Sequence, residues 1–500
     1  MLSLRFRQLI LTACTSSLCS AFVPSDAIAQ TVLPVTLATS LQKAGVPASA
    51  ISVMVLPVNA SNADATVLAQ NADLPMHPAS TMKLLTTLVA LEELGPNFRW
   101  KTQILSDAPA ATEVFNGNLY IRGGGDPDLS MQKLQEMLRD LRNRGIRSIN
   151  GNIVLDRSYF QPERSDINMP PFDEHPDAYY NVVPDALLIH SNISSITVES
   201  GNDNVETRLL TPLDNTLIIN QLRLNKKPCA TWEQTWQAPD VSVSDNAAIS
   251  ITLNSSFPRH CKITQHLNIL DRNQYIAHLI RGLWRELGGS WDGKLVDGRV
   301  PTSANLLIEH QSETLADTIR IVNKHSDNAM ARSIYLSLGT ESNPLLNTNS
   351  AQAADARIRA WLFRHGINDT GIVLENGSGL SRTEQISARQ MAALLLDGAR
   401  SNWYPEFASS LPVAGMDGTM RKRLKDSPAA QNARIKTGTL KDSVAIAGYV
   451  RDVNGQNWVV VAMINTDAAG KARTALDTLI NWVASGRDDA ANLFEPQLIQ

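Results

Sequence analysis

The sequence predicts a mixed α/β protein in which one domain of helices and strands is split by a large strand-rich insertion. Segments with apolar residues at helical spacing occur before residue 98 and return after residue 273. Between them, residues 99–265 read mainly as short strands and turns. Near the end, the apolar runs 445–450 and 458–463 flank Asn454-Gly455, the pattern of a hairpin. A chain of 500 residues, 43% hydrophobic and 19% charged, can bury the cores of two or three domains.

At the start, Arg5 and Arg7 precede an apolar stretch from Leu9 to Val23, and Ala27-Ile28-Ala29 fits a small-x-small cleavage site. This order predicts a signal peptide over 1–29 and a mature chain from Gln30. Leu11-Thr12-Ala13-Cys14 has the look of a lipoprotein box, but the apolar run before it is short, so lipid attachment at Cys14 ranks second. No later segment reaches the 18 apolar residues of a membrane span, which predicts no transmembrane anchor after cleavage. The formal charge of -4 becomes about -5 once the leader's two arginines and one aspartate are gone, which excludes general attraction to nucleic acid. Cys14 and Cys19 leave with the leader. In an oxidising compartment the remaining pair, Cys229 and Cys261, predicts one disulfide, two separately buried thiols being the alternative.

The pattern continues with a helix over 31–45, a strand over 51–56 and a short second strand near 66–68. A mostly apolar helix then runs from Thr81 to Gly95-Pro96. Its first turn carries Ser80 and Lys83, which share one face; a buried lysine that gives up its charge can act as base for a serine hydroxyl. The Ser-x-x-Lys spacing recurs at Ser40/Lys43, inside the first helix, and at Ser130/Lys133, on a heavily charged helix over 129–145 whose serine and lysine are expected to face water. Gly123-Gly124-Gly125-Asp126-Pro127 lacks the Gly-Lys-Ser/Thr of a phosphate loop and reads as a sharp turn. A proline-rich section spans 162–184, and helices return over 275–287, 315–324, 329–338 and 387–400, the last with a Ser387/Gln390 capping box.

Two further elements carry chemistry. Ser326-Asp327-Asn328 lies between two helical stretches and is favoured over its second copy, Ser244-Asp245-Asn246, which reads as a turn in the insertion. Lys436-Thr437-Gly438-Thr439 opens the strand beside the hairpin. Strand-borne Lys436 and Thr437 offer a cation and a hydroxyl to an anion, and Gly438 is expected to leave room for a substrate backbone. S-x-x-K, S-D-N and K-T-G in this order are the signature of class A β-lactamases and penicillin-binding proteins.

With Gly123–Pro127, Ser158-Tyr159-Phe160, Glu375-Asn376-Gly377-Ser378-Gly379-Leu380-Ser381-Arg382 and the stretch 411–418, the chain resembles the D-alanyl-D-alanine carboxypeptidase/endopeptidases of the low-molecular-weight class C penicillin-binding proteins. The 246 residues from Ser80 to Ser326 favour that family over a class A β-lactamase. The resemblance implies a penicillin-recognising serine transpeptidase-like domain, an antiparallel sheet between helices, built from 30–98 and 266–490 around an insertion over 99–265. It implies a periplasmic serine peptidase, without cofactor or metal, that removes D-Ala from peptidoglycan stem peptides, cuts D,D cross-links and is acylated by β-lactams. In it Ser80 would be acylated with Lys83 as base, Ser326 would pass a proton to the leaving amine, and Asn328 would hold Lys83 and the substrate amide. The amides of Ser80 and Thr439 would form the oxyanion hole, and Lys436 and Thr437 would bind the terminal carboxylate. Acidic residues among Asp173, Glu174 and Asp177 would meet the ammonium of the residue preceding D-Ala-D-Ala. The competing functions are a serine β-lactamase, separated by nitrocefin turnover, and an inert wall-binding regulator, separated by penicillin labelling.

Overall fold

A computed structural model of the chain describes residues 32–60, 66–109, 113–340 and 349–487. The signal-peptide and Cys14 expectations lie outside these residues. The organising element is a five-stranded antiparallel sheet in the order Ala433–Thr439, Ser443–Arg451, Asn457–Asn465, Ile51–Pro57, Leu68–Gln70. The two central strands of the hairpin are buried along nearly their whole length, as strands covered on both faces must be. Alternation assigns each residue to a face: Val53, Val55, Ile446 and Val460 enter one core with the helices Val35–Ala44 and Arg473–Ala484. Met54, Leu56, Ala447 and Val461 enter the other, with Lys83–Leu94, Leu315–His325, Asn328–Thr340, Ser350–Arg364 and Ala388–Arg400. This is the expected sheet between helices. Gly455, at φ +81, takes the left-handed conformation in the turn between the hairpin strands.

The insertion has its own core and a second five-stranded sheet, Leu295–Asp297, Ile153–Asp156, Leu119–Arg122, Lys101–Ser106, Asn305–Gln311. Its outer strands lie beyond the expected boundary at 265/266. The helix Arg272–Glu286 likewise buries Tyr275, Ile276, Leu279, Ile280, Leu283 and Trp284 in the insertion's core and not beside the main sheet. The packing of the insertion therefore runs on to Gln311. A return of helical periodicity marks a change of secondary structure, and an amphipathic helix packs on whichever apolar sheet lies beneath it.

Ser244-Asp245-Asn246 closes the antiparallel pair Asp240–Val243 and Ile249–Leu253, with the Ser244 amide donating to the Ala248 carbonyl. The capping box at Ser387/Gln390 is formed. Cys229 and Cys261 are disulfide-bonded. Ser130 and Lys133 do not simply face water: Ser130 is the N-cap of Met131–Asn143, accepting from the Lys133 amide, and both side chains are half-buried. Helices Ser350–Arg364 and Arg473–Ala484 were not among the expected elements. The first had a local signal in Asn349, whose side chain accepts from Ala351 and Gln352 as N-cap.

Candidate active site

Ser80 lies in a 3-10 turn, Ala79–Met82, that leads into the helix Lys83–Leu94. The turn is forced into place: Ala79 holds φ 46, unusual for a residue with a Cβ, and such strain persists only where neighbours over-determine it. His77 is one of those neighbours. Its Nδ1 accepts from the Ala79 amide at 3.1 Å, so Nε2 carries the proton it donates to the Ser381 carbonyl at 2.6 Å. Gly379 and Gly438 press on the same turn. A Cβ on Gly379 would lie 1.9 Å from the Ala79 carbonyl oxygen, and one on Gly438 would lie 2.9 Å from the Ser80 nitrogen. A side chain at position 438 would therefore collide with the backbone of the nucleophile's own turn.

Lys83 is fully buried. Its Nζ donates to Ser80 Oγ at 3.1 Å, to Asn328 Oδ1 at 2.7 Å and to the Ser378 carbonyl. All three acceptors are neutral, so little offsets the loss of water around the ammonium. Burial pushes the Lys83 pKa down to about 7; the carboxylates of Asp327 and Glu384 oppose the shift, and the Arg332 guanidinium adds to it. Burial first, and the nearby Lys83 amine second, hold the Lys436 pKa well below its ordinary value.

Ser326 ends the helix Leu315–His325 in the left-handed region, at φ 63, and Asn328 opens Asn328–Thr340. Lys436 Nζ reaches Ser326 Oγ at 2.8 Å and the Thr437 carbonyl at 2.8 Å. On the strand Ala433–Thr439, Ile435 enters the core, which turns Lys436 to the opposite face, toward Ser326. Lys436 is fully buried. Thr437 Oγ1 donates to Thr419 Oγ1 at 2.8 Å; Thr439 is exposed on the same strand. The expected residues Ser80, Lys83, Ser326, Asn328, Lys436, Thr437, Gly438 and Thr439 therefore meet in one place. The Asn328 amide nitrogen donates to the Tyr180 carbonyl of the insertion at 3.0 Å.

Several residues of the site were not foreseen. Buried Glu384 accepts from the amides of Asn376, Gly377 and Gly379 at 2.8–2.9 Å and so fixes the loop that presents the Ser378 carbonyl to Lys83. Arg332 donates to the Leu380 carbonyl at 3.2 Å from the other side. Asn323, fully buried, joins Thr87 to Ser410 beneath the helix pair. Lys324 bonds the Leu411 carbonyl and Asp417, holding the loop from which Thr419 emerges.

A serine bonded to a buried lysine at a helix start, with a second buried lysine bonded to a second serine from the adjoining antiparallel sheet, is the arrangement of the penicillin-recognising serine peptidases. The D-Ala-D-Ala carboxypeptidase 3 (S13) family matches residues 33–485, and the chain belongs to that family of serine-type D-Ala-D-Ala carboxypeptidases. Among its relatives, D-alanyl-D-alanine carboxypeptidase DacB of Haemophilus influenzae is 27% identical over 426 residues, 82% of this chain and 84% of that protein. A D-alanyl-D-alanine carboxypeptidase of Actinomadura sp. is 26% identical over 424 residues, 81% of this chain and 76% of the relative. The crystal structure of penicillin binding protein 4 (dacB) from Haemophilus influenzae has the same fold, with TM-score 0.74 and 24% identity over 90% of this chain and 98% of that one.

Proposed function

We propose that the enzyme removes the terminal D-Ala of peptidoglycan stem peptides, and cleaves D,D cross-links, through an acyl-enzyme on Ser80. Neutral Lys83 takes the Ser80 proton as Oγ attacks the carbonyl of the penultimate D-Ala, and the amides of Ser80 and Thr439 receive the oxyanion. The C–N bond then breaks, with the proton held by Lys83 passed on through Ser326 to the departing amine, which leaves Ser326 a hydroxyl and Lys83 neutral again. Water, deprotonated by Lys83, hydrolyses the ester and restores Ser80. Lys436, Thr437 and Thr419 bind the terminal carboxylate. A β-lactam follows the same first step, with its amide bond opened and its leaving nitrogen still tethered. The observation that carries this reading is the Lys83 amine, buried among neutral acceptors 3.1 Å from Ser80 Oγ.

A leader over 1–29 would deliver the enzyme to the periplasm, where its substrate is. No helix among the described residues is long and apolar enough to cross a membrane. For the stem peptide, the acidic run of the insertion supplies the carboxylates. Asp173 is engaged by Tyr180, Asn181 and the His175 amide, whereas Glu174 is exposed. Glu174→Ala, Asp173→Ala and Asp177→Ala are expected to narrow the preference for diaminopimelate over alanine before D-Ala-D-Ala, by about 1.5–3 kcal/mol where a carboxylate meets the ammonium. No narrowing in any variant would place recognition elsewhere. The chemistry is tested by mass spectrometry of penicillin-treated protein: the adduct is expected on the peptide holding Ser80, and an adduct at Ser40 or Ser130 would refute the assignment.

A further inference from the structure

Two consecutive residues of the insertion grip the Ser326-Asp327-Asn328 loop. Tyr179 Oη donates to Asp327 Oδ2, and the Tyr180 carbonyl accepts from Asn328 Nδ2. Asp327 is buried, and its other oxygen accepts from the Met330 amide at 2.9 Å, capping the helix Asn328–Thr340. The Asp327 amide donates back to the Val322 carbonyl at 3.2 Å. Asp327 is therefore the pivot between Ser326, held at a positive φ that a residue with a Cβ adopts only under constraint, and Asn328, which orients Lys83. One of its two carboxylate oxygens is fixed by the main domain and the other by the insertion.

The turn that carries both tyrosines, Tyr179–Asn181, also holds the acidic run. Tyr180 Oη donates to Asp173 Oδ2, and Asn181 Nδ2 to Asp173 Oδ1 and the His175 carbonyl, each at 2.8 Å. It is anchored to the body of the insertion by the Ala178–Leu267 bridge and by the Asn268 amide on the Asp177 carbonyl. One three-residue turn thus touches the catalytic loop on one side and the acidic run on the other. Tyr179 is 38% exposed, so its contribution to core packing is small and its hydroxyl contact stands out as its specific function.

We propose that Tyr179 is a positioning residue for acylation: acting through Asp327, it sets the Ser326–Asn328 loop against Lys83 and Lys436, so that the docked insertion governs the rate of the chemical step as well as peptide recognition. This rests on the reading of Ser80 as the acylated residue. A β-lactam carries no stem peptide and so reports the loop alone. Acylation of the full chain by a fluorescent penicillin and hydrolysis of a pentapeptide are to be measured in Tyr179→Phe, Asp327→Asn and the double variant, with melting temperature and adduct mapping for each. Loss of one hydrogen bond to a carboxylate is expected to slow penicillin acylation about tenfold. The peptide kcat should fall by a similar factor with KM within about twofold of wild type, and the double variant should be no slower than Asp327→Asn alone. Tyr179→Phe acylating at the wild-type rate, a change confined to KM, or effects that multiply in the double variant would each overturn the proposal. A wild-type adduct away from Ser80 would overturn the site reading on which it rests.

Discussion

Ser80/Lys83 and Ser130/Lys133 share a spacing and a helix start, yet their side chains are partnered in opposite ways. At Ser130 the side chain faces the Lys133 backbone amide, and the Lys133 amine turns away to the Asp128 carbonyl at 3.1 Å and its carboxylate at 3.6 Å. At Ser80 a strained 3-10 turn points the hydroxyl at the Lys83 amine, which has neutral partners only. A capping serine uses its oxygen as an acceptor for the helix, whereas a nucleophile must have its own proton drawn off. The difference lies in what surrounds the turn, since the spacing is the same in both.

The comparison can be broken most sharply by deleting each serine. Ser80→Ala is expected to abolish penicillin labelling, while Ser130→Ala should label at the wild-type rate; the opposite outcome would exchange the roles of the two turns. Next in size is Lys83→Arg. A guanidinium cannot give up its proton, and loss of the general base should slow acylation by about 10²–10⁴. Normal acylation in that variant would show that the proton leaves by another route. Gly379→Ala is a subtler test, since its methyl would collide with the Ala79 carbonyl and push the Ser80 turn, and it stands at φ +78, where a Cβ is strained. A displacement on the order of 1 Å should cost up to about 10² in acylation rate. The smallest effect is on stability: loss of the Ser130 cap in Ser130→Ala is expected to cost about 1 kcal/mol in denaturant unfolding.

Much of the site was legible because its residues come in short runs whose composition is unusual for their setting: a lysine in an apolar helix, Ser-Asp-Asn between two helices, and Lys-Thr-Gly in a strand, though it lies toward the end of Ala433–Thr439 and does not open it. The sheet was legible through the hairpin and the apolar strand over 51–56. What the sequence hid depends on tertiary contact. Glu384 reads as a surface acid until the backbone of Asn376–Gly379 curls around it. Arg332 lies on a helix whose burial could be inferred, but its approach to Lys83 could not. Tyr179 acts across a gap of 148 residues, from a proline-rich loop with no periodicity. The Arg272–Glu286 helix likewise gives no sign in the sequence of which sheet it covers.

The central claim, that Ser80 is activated by an uncharged Lys83, is tested most directly by the pH dependence of the second-order rate of penicillin acylation. Lys83 works only when deprotonated, and its pKa is lowered to about 7, so the rate should rise with pH through that point. Between pH 8 and pH 6 the neutral fraction falls about tenfold, and the rate should fall with it. A rate that stays level from about pH 5 to pH 9, on protein shown to remain folded across the range, would contradict a neutral-lysine base.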